Sequence, residues 1–166
     1  MKYKIKIIDP NMGIEEYKMY QDIPAKEIGS SNPINGKSYQ EYKQILKDYK
    51  ENETTINPKI NSTTNRYIFY IDNTPVGEIA IRTTKNDFWL NQGSQIFYKI
   101  RKSYRNMGYG TIMLALALDQ CKKLGMTSVC INCNDKNIAS KRIIEKNGGK
   151  LLFNYGTSSR YKITLN

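Results

Sequence analysis

The residues from Ile96 to Gly110 read Ile-Phe-Tyr-Lys-Ile-Arg-Lys-Ser-Tyr-Arg-Asn-Met-Gly-Tyr-Gly and run straight into Thr111-Ile-Met-Leu-Ala-Leu-Ala-Leu. Ile96, Tyr98 and Ile100 alternate and are β-branched or aromatic, which predicts a strand. Met113, Leu116, Ala117, Cys121 and Leu124 follow at helical spacing. Between the two periods stands Arg105-x-x-Gly108-x-Gly110. A strand that enters a helix through a glycine turn leaves little freedom: the helix N-terminus must sit at the strand's end. The first N–H groups of a helix have no internal partner, and the dipole adds positive potential there. Glycine lets a ligand approach the backbone without a Cβ in the way. Arg105 adds a forked donor set suited to phosphate oxygens. The stretch predicts an anion site.

Two familiar phosphate loops do not fit. A P-loop needs Gly-Lys-Ser/Thr, and here Gly110 is followed by Thr111-Ile112. A dinucleotide fingerprint needs Gly-x-Gly-x-x-Gly near a chain-opening strand; here Arg105 stands where that run would begin, late in the chain.

The chain of 166 residues suits a single domain, 1–166, with a real core. At 39% hydrophobic and 25% charged residues it reads as globular. No apolar run is long enough to span a bilayer, and the start, Met1-Lys-Tyr-Lys-Ile-Lys6, lacks the apolar stretch of a signal peptide. The expectation is a soluble, cytoplasmic protein without a membrane partner. The net charge of +11 has two readings, an anionic partner or a lysine-rich bias over solvated faces. The lysines are scattered, which favours the second and argues against nucleic acid. Histidine is absent, which excludes Ser-His-Asp and Cys-His catalysis and every His-based metal site. Three cysteines do not suggest a disulfide framework. Cys130-x-x-Cys133 falls on an alternating strand, Thr127 to Cys133, so its two side chains point to opposite faces and no metal is expected.

Along the chain, Lys2 to Ile8 reads as an edge strand ended by Asp9-Pro10. Residues 14–20 and 38–50 read as helices, the second with Ser38 as N-cap and Tyr42, Ile45, Leu46 and Tyr49 on one face. Residues 29–36 and 52–64 read as polar loops, either functional or slack. Tyr67–Ile71 and Val76–Arg82 form a hairpin around Asp72-Asn-Thr-Pro75. On its second strand Glu78, Ala80 and Arg82 share one face; Glu78 and Arg82 either pair at the surface or face the site. The cluster from Asp87 to Gly93, with the single tryptophan, reads as core packing.

A second informative segment is Asn134-Asp-Lys-Asn-Ile-Ala-Ser-Lys-Arg-Ile-Ile-Glu-Lys-Asn-Gly-Gly149. It reads as a helix with Asp135 as N-cap and Gly148-Gly149 as its stop. Arg105-x-x-Gly-x-Gly110 followed, one helix and one strand later, by Asn137-x-x-Ser140 resembles the GNAT superfamily of N-acetyltransferases, in their bacterial acetyl-CoA-dependent form. The resemblance covers roughly residues 66–166, the cofactor-binding core, and leaves 1–65 as a variable acceptor-side part. It implies an α/β (α+β) fold: a mixed, mostly antiparallel sheet of six or seven strands with helices on both faces. It implies acetyl transfer to a primary amine of a small molecule or peptide, with acetyl-CoA as cosubstrate and no metal. Pantetheine would lie along the backbone of Tyr98, Lys99 and Ile100. The pyrophosphate would rest on Arg105, Asn106, Met107, Gly108, Tyr109, Gly110 and Thr111, with Asn137 and Ser140 on the other wall and Lys146 as a candidate for the 3′-phosphate. The chain departs from the family where a Tyr acid is often found, at Ile144, and where a Glu base is often found, at Ser94-Gln95. Tyr98 and Glu78 are the replacements that alternation offers. A catalytically degenerate, CoA-binding regulatory module is the alternative, and a monomer or a homodimer are equally compatible.

Overall fold

The computed structural model describes residues 1–83 and 93–166. Alternating side chains build β1 (Tyr3–Ile7), β4 (Thr64–Ile71), β5 (Thr74–Arg82) and β6 (Ile96–Ile100) into one sheet, in the order β1-β4-β5-β6. β7 (Ser128–Asn134), β8 (Lys150–Tyr155) and β9 (Ser158–Thr164) form a second, ordered β7-β9-β8. Every pairing in both sheets is antiparallel. Among the described residues four α-helices join them: α1 (Ile14–Asp22), α2 (Tyr39–Glu51), α3 (Tyr109–Lys123) and α4 (Ile138–Lys146). The fold matches the mixed, largely antiparallel expectation, with its seven long strands divided between two sheets.

One element was not anticipated. β2 (Lys26–Glu27), which precedes the 29–36 stretch read as a loop, pairs with β3 (Ser30–Ser31) inside it as a short ribbon. The aromatic cluster around Trp89 lies outside the described residues, apart from Gly93.

Helices cover both faces of the first sheet. On one face Phe69, Ile79, Ile81 and Ile96 pack against Met113, Leu114, Ala117 and Cys121 of α3. On the other, Ile68 and Tyr70 pack against Tyr20 of α1 and Tyr42, Leu46 and Tyr49 of α2. Each such side chain, fully buried, contributes roughly 1.5–3 kcal/mol. Ser38 caps α2 as expected, its hydroxyl accepting from the Glu41 amide at 3.1 Å while the Glu41 side chain reaches back. Asp72 turns the β4–β5 hairpin in the left-handed region, at φ +54°, and its carboxylate accepts from the Lys2 amide at 2.8 Å.

The second face of β5 carries Glu78, 1% exposed. Its carboxylate accepts from the Tyr20 hydroxyl, from Arg66 at 3.0 Å and from Lys99 at 3.3 Å. Burial works to raise the pKa of this acid, but the Lys99 and Arg66 cations outweigh it and hold the carboxyl below its ordinary range. The sign follows. The Glu78 contribution is fully present above the ordinary value of 4.5 and is lost as pH falls through the depressed folded value. Glu78→Gln strands two buried cations and is expected to destabilise the protein by about 3–5 kcal/mol. It should also flatten the loss of stability below about pH 4.5. Urea unfolding of both proteins between pH 3 and 7 reads both effects; parallel curves would contradict the assignment.

Candidate active site

Among the described residues β6 has a strand neighbour on one side only. Its far end is tied to the second sheet: the Gln95 amide donates to the Cys130 carbonyl at 2.9 Å, and the Cys130 amide to Gln95 Oε1 at 2.8 Å. Beyond those bonds no ladder joins β6 to β7 among the described residues. The strands part and leave a cavity of about 600 Å³.

An antiparallel ladder decides which backbone groups face that cavity. The Arg101 amide donates to the Val76 carbonyl of β5, and the Arg82 amide of β5 donates to the Gln95 carbonyl, both across the β5–β6 seam. Opposed residues alternate between bonded and non-bonded pairs. Glu78↔Lys99 is therefore a bonded pair, whereas Ile79↔Tyr98 and Gly77↔Ile100 are not. The backbones of Tyr98 and Ile100 point into the gap; that of Lys99 is committed to β5. Of the three residues expected to offer backbone to a ligand, Tyr98 turns both its groups to the gap and Ile100 its N–H, while the Ile100 carbonyl accepts from Arg105. The Lys99 side chain also turns away, to Glu78 and to the Ser31 carbonyl at 2.9 Å.

At the end of β6 the chain turns through residues 105–108. Asn106 and Gly108 both take positive φ, +60° and +83°. Alternating handedness of this kind curls successive N–H groups toward a common point. Gly108 is the N-cap of α3, with no side chain capping the helix. A Cβ on Gly108 would meet nothing within 4 Å, so the space before the helix is open. Gly110 is glycine for another reason: a Cβ there would overlap the Ile143 side chain of α4. Arg105 lies in the cavity wall with its guanidinium engaged. Nε and Nη2 donate to the Ile100 carbonyl at 3.0 and 2.8 Å, and Nη1 and Nη2 donate to the Glu27 carboxylate at 2.7 and 2.8 Å.

The opposite wall is the start of α4. Asn137, not Asp135, is the N-cap: its Oδ1 accepts from the Ser140 amide at 3.1 Å. Asp135 instead accepts a hydrogen bond from the Ser159 hydroxyl. Gly148 at φ +84° ends the helix, and the Gly149 amide closes onto the Ile144 carbonyl at 2.9 Å. The Ser140 hydroxyl bonds the Tyr98 hydroxyl across the gap at 2.7 Å. Burial pushes the Tyr98 phenol well above its ordinary pKa. It therefore stays protonated at neutral pH and can act as a donor.

The cavity gathers Tyr98, Lys99, Ile100, Arg105, Asn106, Gly110, Asn137 and Ser140 from among the expected site residues. Met107, Gly108, Tyr109 and Thr111 belong to the same turn without lining the cavity. Lys146 sits exposed at the far end of α4 and does not line it either. Nor does Glu78: both its oxygens are taken by donors, and it stays ionised beside Lys99 and Arg66. That arrangement does not fit the general base that alternation suggested. Sequence reasoning missed Glu27, Ile28 and Ser30 of the ribbon, and Tyr104 and Lys136. The cysteines are buried. Burial pushes the Cys121 thiol up to about 12 and raises Cys133 as well. Among the described residues no His, Cys, Asp or Glu cluster could hold a metal ion, and no helix is long and apolar enough to cross a membrane.

Two antiparallel sheets that part between β6 and β7, with a glycine turn and helix start at the opening, make an acyl-CoA-type transferase frame. Residues 30–150 match the family model described as Acetyltransferase (GNAT) domain, and the chain belongs to that family. No match to a curated protein was found. Among solved structures, a GNAT-family acetyltransferase from Streptococcus pneumoniae superposes with a TM-score of 0.65 at 13% identity, covering 99% of this chain and 100% of that one. A Salmonella typhimurium acetyltransferase that modifies the N-terminal serine of ribosomal protein L7/L12 gives 0.67 at 13% identity, covering 99% and 95%. The Campylobacter jejuni N-acetyltransferase PseH in complex with acetyl coenzyme A gives 0.66 at 10% identity, covering 99% and 100%. At such identities the likeness is one of fold.

The two glycines separate experimentally. Gly110→Ala is expected to cost about 1–3 kcal/mol through overpacking, and Ile143→Val, which deletes the overlapped methyl, should restore part of it. Gly108→Ala should cost about 1–2 kcal/mol from its left-handed backbone, with no relief from Ile143→Val. Denaturant unfolding of the single and double variants reads the difference.

Proposed function

We propose that the protein transfers an acetyl group from acetyl-CoA to a primary amine of a small molecule or peptide, by direct attack and without an acetyl-enzyme. The observation that carries this reading is the outward-facing backbone of Tyr98 and Ile100, leading into the open turn at Gly108. The residues fit the cosubstrate. A free strand edge suits the amides of a pantetheine arm, and curled N–H groups with an uncapped helix start suit a pyrophosphate. Asn137 and Ser140 stand across the gap from that edge.

The thioester supplies an acetyl carbon open to a neutral amine and a thiolate leaving group. The amine nitrogen forms the new C–N bond, the C–S bond breaks, and the sulfur takes a proton. An outward N–H of β6 is the donor at hand for the oxyanion. The Tyr98 hydroxyl, protonated and aligned by Ser140, is the donor at hand for the sulfur. After attack the nitrogen is cationic, and water carries its proton away and returns one to the Tyr98 oxygen, since Glu78 does not line the cavity. Buried thiols with raised pKa values react poorly, which supports direct transfer.

The test is acetyl-CoA turnover, read as free thiol, across polyamines, aminoglycosides, amino acids and peptides. Turnover with at least one amine is expected. CoA binding without turnover on any amine would favour a degenerate binding module instead. Tyr98→Phe should lower kcat about a hundredfold with little change in acetyl-CoA affinity, the size of one lost acid–base group. An acetylated cysteine found by mass spectrometry would contradict direct transfer. Acetyl-CoA should also raise Tm, since a ligand bound only by the native state stabilises it. Gly108→Glu should abolish that rise by setting a carboxylate against the pyrophosphate; an unchanged rise in a folded variant would refute the assigned turn.

A further inference from the structure

The β2–β3 ribbon lines the cavity through Glu27, Ile28 and Ser30 and is tied to both of its walls. Lys26↔Ser31 and Glu27↔Ser30 pair, and Gly29 turns the tip at φ +74°. On one wall the Glu27 carboxylate grips Arg105 with both oxygens, at 2.7 and 2.8 Å. On the other, Asn137 Nδ2 donates to the Ile28 carbonyl at 3.4 Å. A third tie runs from Lys99 Nζ to the Ser31 carbonyl at 2.9 Å. The residues that fasten the ribbon include those that the proposed cosubstrate would touch.

Arg105 is the informative one. A guanidinium recognises carboxylate and phosphate through the same forked donors. Its inner edge is spent on the Ile100 carbonyl and its outer edge on Glu27. One outer edge holds one bidentate anion at a time. In a chain carrying +11, the anion on this cavity arginine comes from the chain itself. The pair is partly open to water, Arg105 at 33% and Glu27 at 23% side-chain exposure. Water at the pair keeps it weaker than a buried one even though both oxygens are engaged, and a pyrophosphate, carrying more charge than a carboxylate, is equipped to displace it.

We infer that Glu27 is an internal competitor for the polyphosphate group and that the 26–31 ribbon is the gate it latches. Polyphosphate exchanges with the Glu27 carboxylate on Arg105, and the ribbon loses its hold on that wall. No covalent bond changes; one ion pair replaces another. The inference rests on the proposed function for the identity of the ligand, not for the latch.

Calorimetric titration of CoA into the full-length wild type, Glu27→Gln, Arg105→Gln and the double variant tests it. Glu27→Gln removes a competitor worth no more than an exposed ion pair, so CoA affinity should rise about two- to fivefold. In the Arg105→Gln background the same change should give no gain. Hydrogen exchange of amides 26–32 should quicken when CoA binds. Equal or weaker CoA binding by a folded Glu27→Gln, or slower exchange in the ribbon on binding, would overturn the latch while leaving the cosubstrate reading intact. Failure of every form, wild type included, to bind CoA would remove both together.

Discussion

The hydrogen bonds between Gln95 and Cys130 hold β6 to β7 at one end, and from there the strands separate. An unpaired strand edge in a folded protein is normally a liability. Here it borders a cavity, and two of its residues aim their amides and carbonyls into it. The same separation sets the start of α3 at the end of β6, so the orphan N–H groups of the helix continue the row of free donors. Strand edge, curled turn and helix start make one donor-lined track. No single residue creates it, and the Arg105-x-x-Gly-x-Gly spacing is its imprint on the chain.

The buried charges behind β6 serve that arrangement. Lys99 cannot leave its strand without stranding Glu78, and Glu78 cannot ionise alone at 1% exposure. Arg66 completes the neutralisation and lies over the rings of Tyr49 and Phe97, at 4.0 and 5.0 Å. The cluster fixes β5 against β6 on the face away from α3. Through the Ser31 carbonyl it also reaches the ribbon. The cavity itself is bordered by the partly exposed Arg105–Glu27 pair, with the buried cluster behind it.

Much of the fold was legible because its signals are local. The alternation of Ile96, Tyr98 and Ile100, the Ser38 cap and the double glycine at 148–149 each need only a few neighbouring residues. The strand-to-helix turn was legible for the same reason. What escaped needed register or distance. That Lys99 spends its backbone on β5 follows from how two strands align, which no single strand records. The partner of Arg105 is Glu27, seventy-eight residues away in sequence. Two-residue strands carry no periodicity, so β3 fell within a stretch read as loop and β2 was not read at all. Asp135 and Asn137 are both good caps by type; the geometry at the end of β7 gave the helix to Asn137 and the Ser159 hydroxyl to Asp135.

The central claim is that a ligand lies along the free edge of β6 and ends on the turn at Gly108. Amide NMR of the protein titrated with CoA tests it directly. The amides of Tyr98 and Ile100 and those of residues 106–111 should shift and become protected from exchange, while Lys99, bonded to β5 in both states, should change least along the strand. Saturable binding that leaves these amides unmoved and perturbs another face of the molecule would contradict the account.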